Sequence, residues 1–155
     1  DHIISRSRGS VIHGDLCFSN VLYDVYAGIL KIIDPRGKFG SAGVHGDLNY
    51  DLAKLRHSIH GNYESIISDL FSLKEESGNF EYSMLNDNYV KLIDFFDRCL
   101  KDKGYDVNLI RFIEGLLYLT MIPLHSDSVQ RQKMMYLRSV ELFNEVRGDY
   151  FENSN

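Results

Sequence analysis

The stretch that decides the reading runs Val11-Ile12-His13-Gly14-Asp15-Leu16-Cys17-Phe18-Ser19-Asn20-Val21-Leu22-Tyr23-Asp24 and, after a short link, Ile29-Leu30-Lys31-Ile32-Ile33-Asp34-Pro35. Within it His13, Asp15 and Asn20 stand at H-x-D-x-x-x-x-N spacing. The residues after Asn20 read as two short apolar strands, Val21 to Asp24 and Ile29 to Ile33, with Ala27-Gly28 near the bend. Antiparallel pairing about Ala27 would set Val21 opposite Ile33 and Asn20 opposite Asp34, with facing Cα atoms about 4.5 to 5.5 Å apart. An amide oxygen and a carboxylate so placed can share one magnesium ion, which takes oxygen ligands at about 2.0 to 2.1 Å and keeps waters or phosphate oxygens besides. Asp15 lies on the loop entering the hairpin. A carboxylate there can accept the proton of a hydroxyl that attacks a metal-bound phosphate.

Each of these residues alone has a plainer reading. Asp15 and Asn20 are residue types that close loops with side-chain turns, and an aspartate before Pro35 can simply end a strand. What favours phosphoryl transfer is all four residues together, in register with a hairpin that brings two of them to one end.

The stretch resembles the catalytic core of the aminoglycoside phosphotransferase and choline kinase group, small-molecule kinases that share the protein-kinase-like fold. His13-Gly14-Asp15 is similar to the H-G-D of that group, and Asp34 stands where the group has its second metal-binding aspartate. The resemblance implies that Asp15 is the catalytic base, that His13 braces the loop, and that Asn20 and Asp34 hold Mg2+ with ATP as the phosphate donor. Downstream, Gly46-Asp47-Leu48-Asn49-Tyr50-Asp51-Leu52-Ala53 resembles the group's G-D-x-x-Y-D-L-A segment, which opens a helix under the active site. By that resemblance Asp51 hydrogen-bonds the catalytic loop from below; an acidic residue favoured by the helix dipole explains it as well. The similarity covers about residues 11 to 60. Asp34-Pro35-Arg36-Gly37 departs from it, since many relatives carry an aromatic residue after the aspartate, and this form is similar to kinase-like proteins of bacterial surface-polysaccharide synthesis.

Composition sets the outer bounds. At 155 residues, 44% hydrophobic and 25% charged, the chain is long enough for one domain with a real core. A formal net charge of −5 and the lack of a dense Lys/Arg run speak against nucleic acid as a partner. No apolar run is read as reaching the roughly 18 residues of a membrane span and no signal peptide opens the chain, so a cytoplasmic location away from membranes is expected. Cys17 and Cys99 form no metal or redox motif, and Cys17 reads as a small apolar filler in the loop rather than a reactive thiol. The polar first ten residues lack an initiator methionine and look like the tail of something cut. The small lobe that brings a phosphate-covering loop, a phosphate-pairing lysine and an adenine hinge to such enzymes has no room before His13. Gly37 to Gly43 is glycine-rich but lacks the order of a phosphate loop, and reads as a loop beside the site.

A second His-Gly-Asp, His45 to Asp47, has Leu52 rather than Asn five residues on. Helical periodicity begins there with Leu48, Leu52, Leu55 and Ile59, and Asp47 or Asn49 reads as its cap. His57 and His60, without a third ligand, read as partly exposed helix residues and not as a metal site. Tyr63 to Leu73 is expected as a short helix ended by Ser77-Gly78-Asn79. Leu85, Tyr89, Leu92, Phe96 and Leu100 read as the stripe of another, closed by Gly104. Asp106 caps a run, Leu109 to Met121, apolar nearly all round and thus expected as the buried central helix until Pro123. Asp127 is expected to begin the last helix, with Met134, Leu137 and Leu142 in the core.

The sequence thus predicts a mainly α chain with a small β-hairpin (α+β), one domain over residues 1–155, equivalent to the large C-terminal lobe of a protein-kinase-like phosphotransferase. The expected function of the parent protein is ATP- and magnesium-dependent phosphorylation of a hydroxyl on a small molecule such as a sugar, an aminoglycoside or an amino alcohol. The isolated chain is expected to bind Mg-ATP feebly and to turn nothing over, and its face toward the small lobe to carry apolar residues that favour self-association. Two other classes stay open: a non-catalytic kinase-like binding or scaffold module, and a hydrolase using Asp15 and Asp34 around a metal.

Overall fold

The computed structural model describes residues 4–150 apart from 42, 61 and 86–89. It is an α+β fold of three two-stranded antiparallel sheets and six α-helices among the described residues. Strand β1 (Gly9–Val11) pairs with β4 (His45–Asp47), and β2 (Val21–Asp24) with β3 (Ile29–Ile32). Helix α1 (Leu48–Ile59) follows β4 directly, then the short α2 (Tyr63–Ile67), then β5 (Phe71–Glu76) paired with β6 (Asn79–Met84). The remainder is helical: α3 (Val90–Asp102), α4 (Val107–Met121), α5 (Val129–Glu145) and α6 (Arg147–Tyr150).

Helix α4 is the central element. Its Val107, Ile110 and Leu117 pack with Ala53 of α1 and Leu100 of α3, while its Tyr118 joins Ile66, Met134, Met135 and Leu142 on the other side. Gly115 permits the close approach of α5, because a Cβ there would stand 2.7 Å from a ring carbon of Phe143. Asp106 caps the helix by accepting from the N–H groups of Asn108 and Leu109, and Gly104 closes α3 with φ +72°. With the 3-10 turn Ile122–His125, the run Val107–His125 is long and apolar enough to cross a membrane, which corrects the expectation that no run reaches that length. Its two charged residues, Arg111 and Glu114, face Asp97 of α3 and Arg56 of α1.

Several sequence-based expectations are corrected. The segment after α2 is a hairpin: Phe71, Leu73, Tyr82 and Met84 alternate along β5 and β6 and pack on the second core cluster, and Ser77-Gly78 forms the tip. The period there is 2, and the helical reading joined it to the single turn of α2. Helix α3 begins after Leu85, which is exposed. Of the expected stripe Leu100 is buried and Phe96 is half-buried against the first core cluster, but Leu92 is exposed, Ile93 and Asp97 are buried instead, and Tyr89 lies outside the described residues. Ser128, not Asp127, caps α5, its hydroxyl accepting from the Arg131 N–H, while Asp127 pairs with the Arg131 side chain.

The hairpin register is also corrected. Val21 faces Ile32, not Ile33, and the Ile33 N–H donates to the Asn20 carbonyl at 3.0 Å, so Asn20 stands opposite Ile33 and Asp34 is one residue further on. The four-residue link Val25 to Gly28 sets this. Asp24 accepts from the N–H groups of Tyr26 and Ala27 through its side chain and from Gly28 through its carbonyl, and Gly28 takes φ +66°. An even-numbered link cannot centre on Ala27.

Candidate active site

The site is a loop clamped from below by one helix face and tied sideways to the end of a hairpin. Helix α1 starts where it does because Asp47 caps it, its carboxylate accepting from both the Asn49 and the Arg8 N–H groups at 3.0 Å. That fixes the phase of the helix, and Asp51, Lys54 and Ser58, at i, i+3 and i+7, fall on one side. Asp51 accepts from the His13 N–H at 2.6 Å and from the Gly14 N–H at 2.9 Å. Lys54 Nζ lies 2.8 Å from Asp15 Oδ1. Ser58 Oγ accepts from the Phe18 N–H at 3.1 Å and donates to Glu64 at 2.8 Å. All three helix residues are buried.

The loop holds itself as well. The His13 ring donates through Nε2–H to the Ile33 carbonyl at 2.9 Å, since a carbonyl can only accept. That leaves Nδ1 as the acceptor for the Asp15 N–H at 3.3 Å. The Arg36 N–H donates to the His13 carbonyl at 2.9 Å. Gly14 has φ +79°, and a Cβ there would meet Arg36 Cβ at 3.0 Å, so a side chain at this position is strained on both counts. The Asn20 side chain donates to the Asp15 carbonyl at 2.9 Å, which ties the far end of the loop to the residue carrying the carboxylate. Cys17 is buried beside Ser19, with Sγ and Oγ 3.1 Å apart.

Of the four residues singled out in the sequence, His13, Asp15 and Asn20 are linked directly by hydrogen bonds, and Asp34 is tied to them through the neighbouring Ile33. His13 reaches to within one residue of Asp34, Asn20 binds the main chain of Asp15, and Asp34 follows Ile33, which lies just past the end of β3 and donates to the Asn20 carbonyl. Asp34 is exposed with φ +56°, a left-handed conformation that non-glycine residues adopt rarely and that clusters at functional sites. Asp15 is partly exposed, its side chain at 34%, although its partner Lys54 is buried.

Lys54, Ser58 and Arg36 were missed in the sequence. The first two carried a signal: with Asp51 they form a polar stripe at helical spacing, beside the leucine stripe of Leu48, Leu52 and Leu55. Leu52 and Leu55 are only half-buried, while Asn49, Asp51, Lys54, Arg56, His57 and Ser58 are buried. His57 corrects a further expectation. It is fully buried between the rings of Tyr63 and Tyr118, at centroid distances of 4.6 and 4.1 Å, and that burial pushes its imidazole down to about 3. Tyr63, beneath Lys54 with Nζ 5.7 Å from its ring centre, is pushed up to about 12 by burial first and then by the charges of Cys17, Asp15 and Glu64.

Among the described residues no group of three or more His, Cys, Asp and Glu side chains gathers as a metal site. With its amide nitrogen donating to the Asp15 carbonyl, Asn20 turns its amide oxygen the other way, and Asp34 adds an exposed carboxylate. The expectation that the two share one Mg2+ placed them opposite each other, and the observed register sets Asp34 one residue beyond that position.

Set against protein-family models, curated proteins and solved structures, the chain matches none.

Proposed function

We propose that this chain carries the catalytic lobe of a kinase-like phosphotransferase that moves the γ-phosphoryl group of ATP to a hydroxyl of a small molecule, in the class of a sugar, an aminoglycoside or an amino alcohol. The observation that carries the reading is the Asp15 carboxylate, partly exposed on a loop whose neighbouring N–H groups are held by Asp51 and Ser58 and whose far end carries Asn20. A base must be held in place and still reach solvent-borne substrate, and Asp15 meets both conditions. Asp15 accepts the proton of the acceptor hydroxyl as its oxygen bonds to the γ-phosphorus. The bond from that phosphorus to the bridging oxygen breaks, and ADP carries the electron pair away. Asn20 and Asp34 would hold Mg2+, which when bound offsets the charge of the phosphates. His13 keeps the loop and the Asp34 end of the hairpin at a constant separation.

The β2–β3 hairpin, whose open end meets this site, leaves Leu22, Tyr23, Tyr26, Leu30 and Ile32 exposed along its length. In this reading they meet the nucleotide-holding part of the whole protein, and in the isolated chain they favour self-association. ATP as co-substrate assigns the reaction to the cytoplasm.

The test is the whole protein with labelled ATP and Mg2+ against a panel of sugars, aminoglycosides and amino alcohols. Asp15→Asn, which keeps an oxygen for Lys54, and Asp34→Asn are each expected to cut turnover by about 10²- to 10⁴-fold, with a nearly unchanged unfolding midpoint for Asp34→Asn and a lowered one for Asp15→Asn, which removes the counter-charge of buried Lys54. Retention of most turnover by either variant would remove its assigned role. No product with any acceptor class would favour the binding-module reading.

A further inference from the structure

We infer that Lys54 is a positioning residue for Asp15: its ammonium group, brought up through the buried face of α1, holds one carboxylate oxygen so that the other is presented to the acceptor hydroxyl. The inference rests on the function proposed above and extends it to a residue outside the loop motif. Lys54 is buried at 5% exposure, an uncommon place for a lysine, and buried lysines are almost always paired. Its partner is Asp15 Oδ1 at 2.8 Å. An ammonium group placed to stabilise the fold alone would be expected to pair with a carboxylate of comparable burial. Here the carboxylate is one-third exposed on a loop, while the lysine reaches it from below.

The supporting contacts make the pair directional. Asp51 and Ser58, the residues before and after Lys54 on the same face, fix the main chain on both sides of Asp15, at His13, Gly14 and Phe18. Main-chain bonds set where the Asp15 Cα lies but leave its side-chain torsions free. Lys54 contacts the carboxylate itself. The aromatic face of Tyr63, 5.7 Å from Nζ, adds a second weak attraction on the ammonium group. With Oδ1 engaged, Oδ2 is the oxygen left for substrate, and a base held in one orientation is worth far more than one that rotates.

The experiment is a double-mutant cycle in the whole protein with Lys54→Met and Asp15→Asn, singly and together, read by kcat, by KM for both substrates and by the unfolding midpoint. Methionine has nearly the length of lysine and suits a buried site, so Lys54→Met is expected to fold. Its kcat is expected to fall about 100-fold, the cost of a misplaced catalytic group, with both KM values within about threefold of the parent. In the Asp15→Asn background Lys54→Met is expected to cause no further loss, because it acts through Asp15. A Lys54→Met variant within about threefold of the parent kcat, or an equal further loss in the Asp15→Asn background, overturns the inference. The unfolding midpoints give an independent reading when residual rates are too low to compare. The Asp15–Lys54 pair predicts that the double variant is more stable than the sum of the two single losses, and strict additivity overturns it. High turnover in Asp15→Asn would instead defeat the assignment of Asp15 as the base, which the stability cycle distinguishes from a failure of the pair.

Discussion

Asp51 holds His13 by its main chain: Oδ2 accepts the His13 N–H at 2.6 Å while Oδ1 accepts the next N–H, of Gly14, at 2.9 Å. One buried carboxylate thereby satisfies two N–H groups that no strand or helix can satisfy at this bend. The loop is bent by Gly14, and Asp51 is what makes the bend permanent.

Asp51→Asn is expected to lower both stability and turnover. The amide has one oxygen where two are needed, and its NH2 group would face a backbone N–H. The loss is about 2 to 3 kcal/mol, in the range of a charged hydrogen bond replaced by an unsatisfied donor. Urea unfolding and the labelled-ATP assay on the same preparation check this. An unchanged midpoint would show that Asp51 does not brace the loop.

His57 makes stability depend on pH in a definite direction. Both ring nitrogens are buried with no hydrogen-bond partner, and burial pushes the imidazole down to about 3, against about 6.5 in an unfolded chain. A depressed histidine favours the folded state while it is neutral. Its contribution is complete above about pH 6.5 and is lost on acidification from there toward 3, by about 2 kcal/mol at pH 5. His57→Phe keeps a ring between Tyr63 and Tyr118 and removes two unsatisfied polar atoms. It is expected to raise the unfolding midpoint at pH 7 and to flatten the decline between pH 7 and 5, as measured by urea titrations at each pH. Parallel curves for the two proteins would contradict it.

Arg56 joins α1 to α3 and α4. Its guanidinium is buried, donates to both oxygens of Asp97 at 3.0 and 3.1 Å, and also donates to Glu114. Burial alone would push the Glu114 carboxyl up, but the neighbouring His60 and the charge of Arg56 bring it below its ordinary value; burial likewise opposes, and Arg56 and Arg111 outweigh, for Asp97. Depressed carboxyls contribute stability above their unfolded values, about 4, and lose it as pH falls further. Arg56→Met leaves Glu114 buried without its main counter-charge, at a cost of about 3 to 5 kcal/mol at pH 7. The desolvated carboxyl then prefers its proton, so the variant is expected to regain stability on going from pH 7 to 5, relative to the parent. Thermal unfolding across that range is the check, and a variant that merely tracks the parent would show that Arg56 is dispensable to the core.

Local pattern accounts for much of what the chain became. Asp106 was legible as a cap, and Asp47 as one of two candidates with Asn49, because a cap depends on residues two or three positions away. Helix α4 was legible as a helix because Leu109 to Met121 is apolar apart from Arg111, Glu114, Gly115 and Thr120, although Leu116 and Leu119 are exposed and the helix is not buried all round as expected. The short hairpin after Asn20 and the loop residues His13, Asp15 and Asn20 were visible for the same reason, since their spacing spans only a few residues.

Whatever depends on phase or on a distant partner was settled by tertiary contacts. A single residue in the Val25 to Gly28 link shifted the register of β2 and β3, and with it the neighbour of Asn20, because strand pairing has a period of 2. The β5–β6 hairpin was hidden because its alternation becomes meaningful only when Phe71, Leu73, Tyr82 and Met84 find the core beneath them. Above all, Leu52 and Leu55 made α1 look like an ordinary amphipathic helix. It instead buries Asp51, Lys54 and Ser58 toward the loop and Arg56 toward α3 and α4, each answered by a group 37 or more residues away in sequence, with Ser58 also bonded to nearby Glu64. A charged side chain is exposed by default and goes inside only when its partner is already there, and that condition belongs to the folded structure, not to any window of sequence.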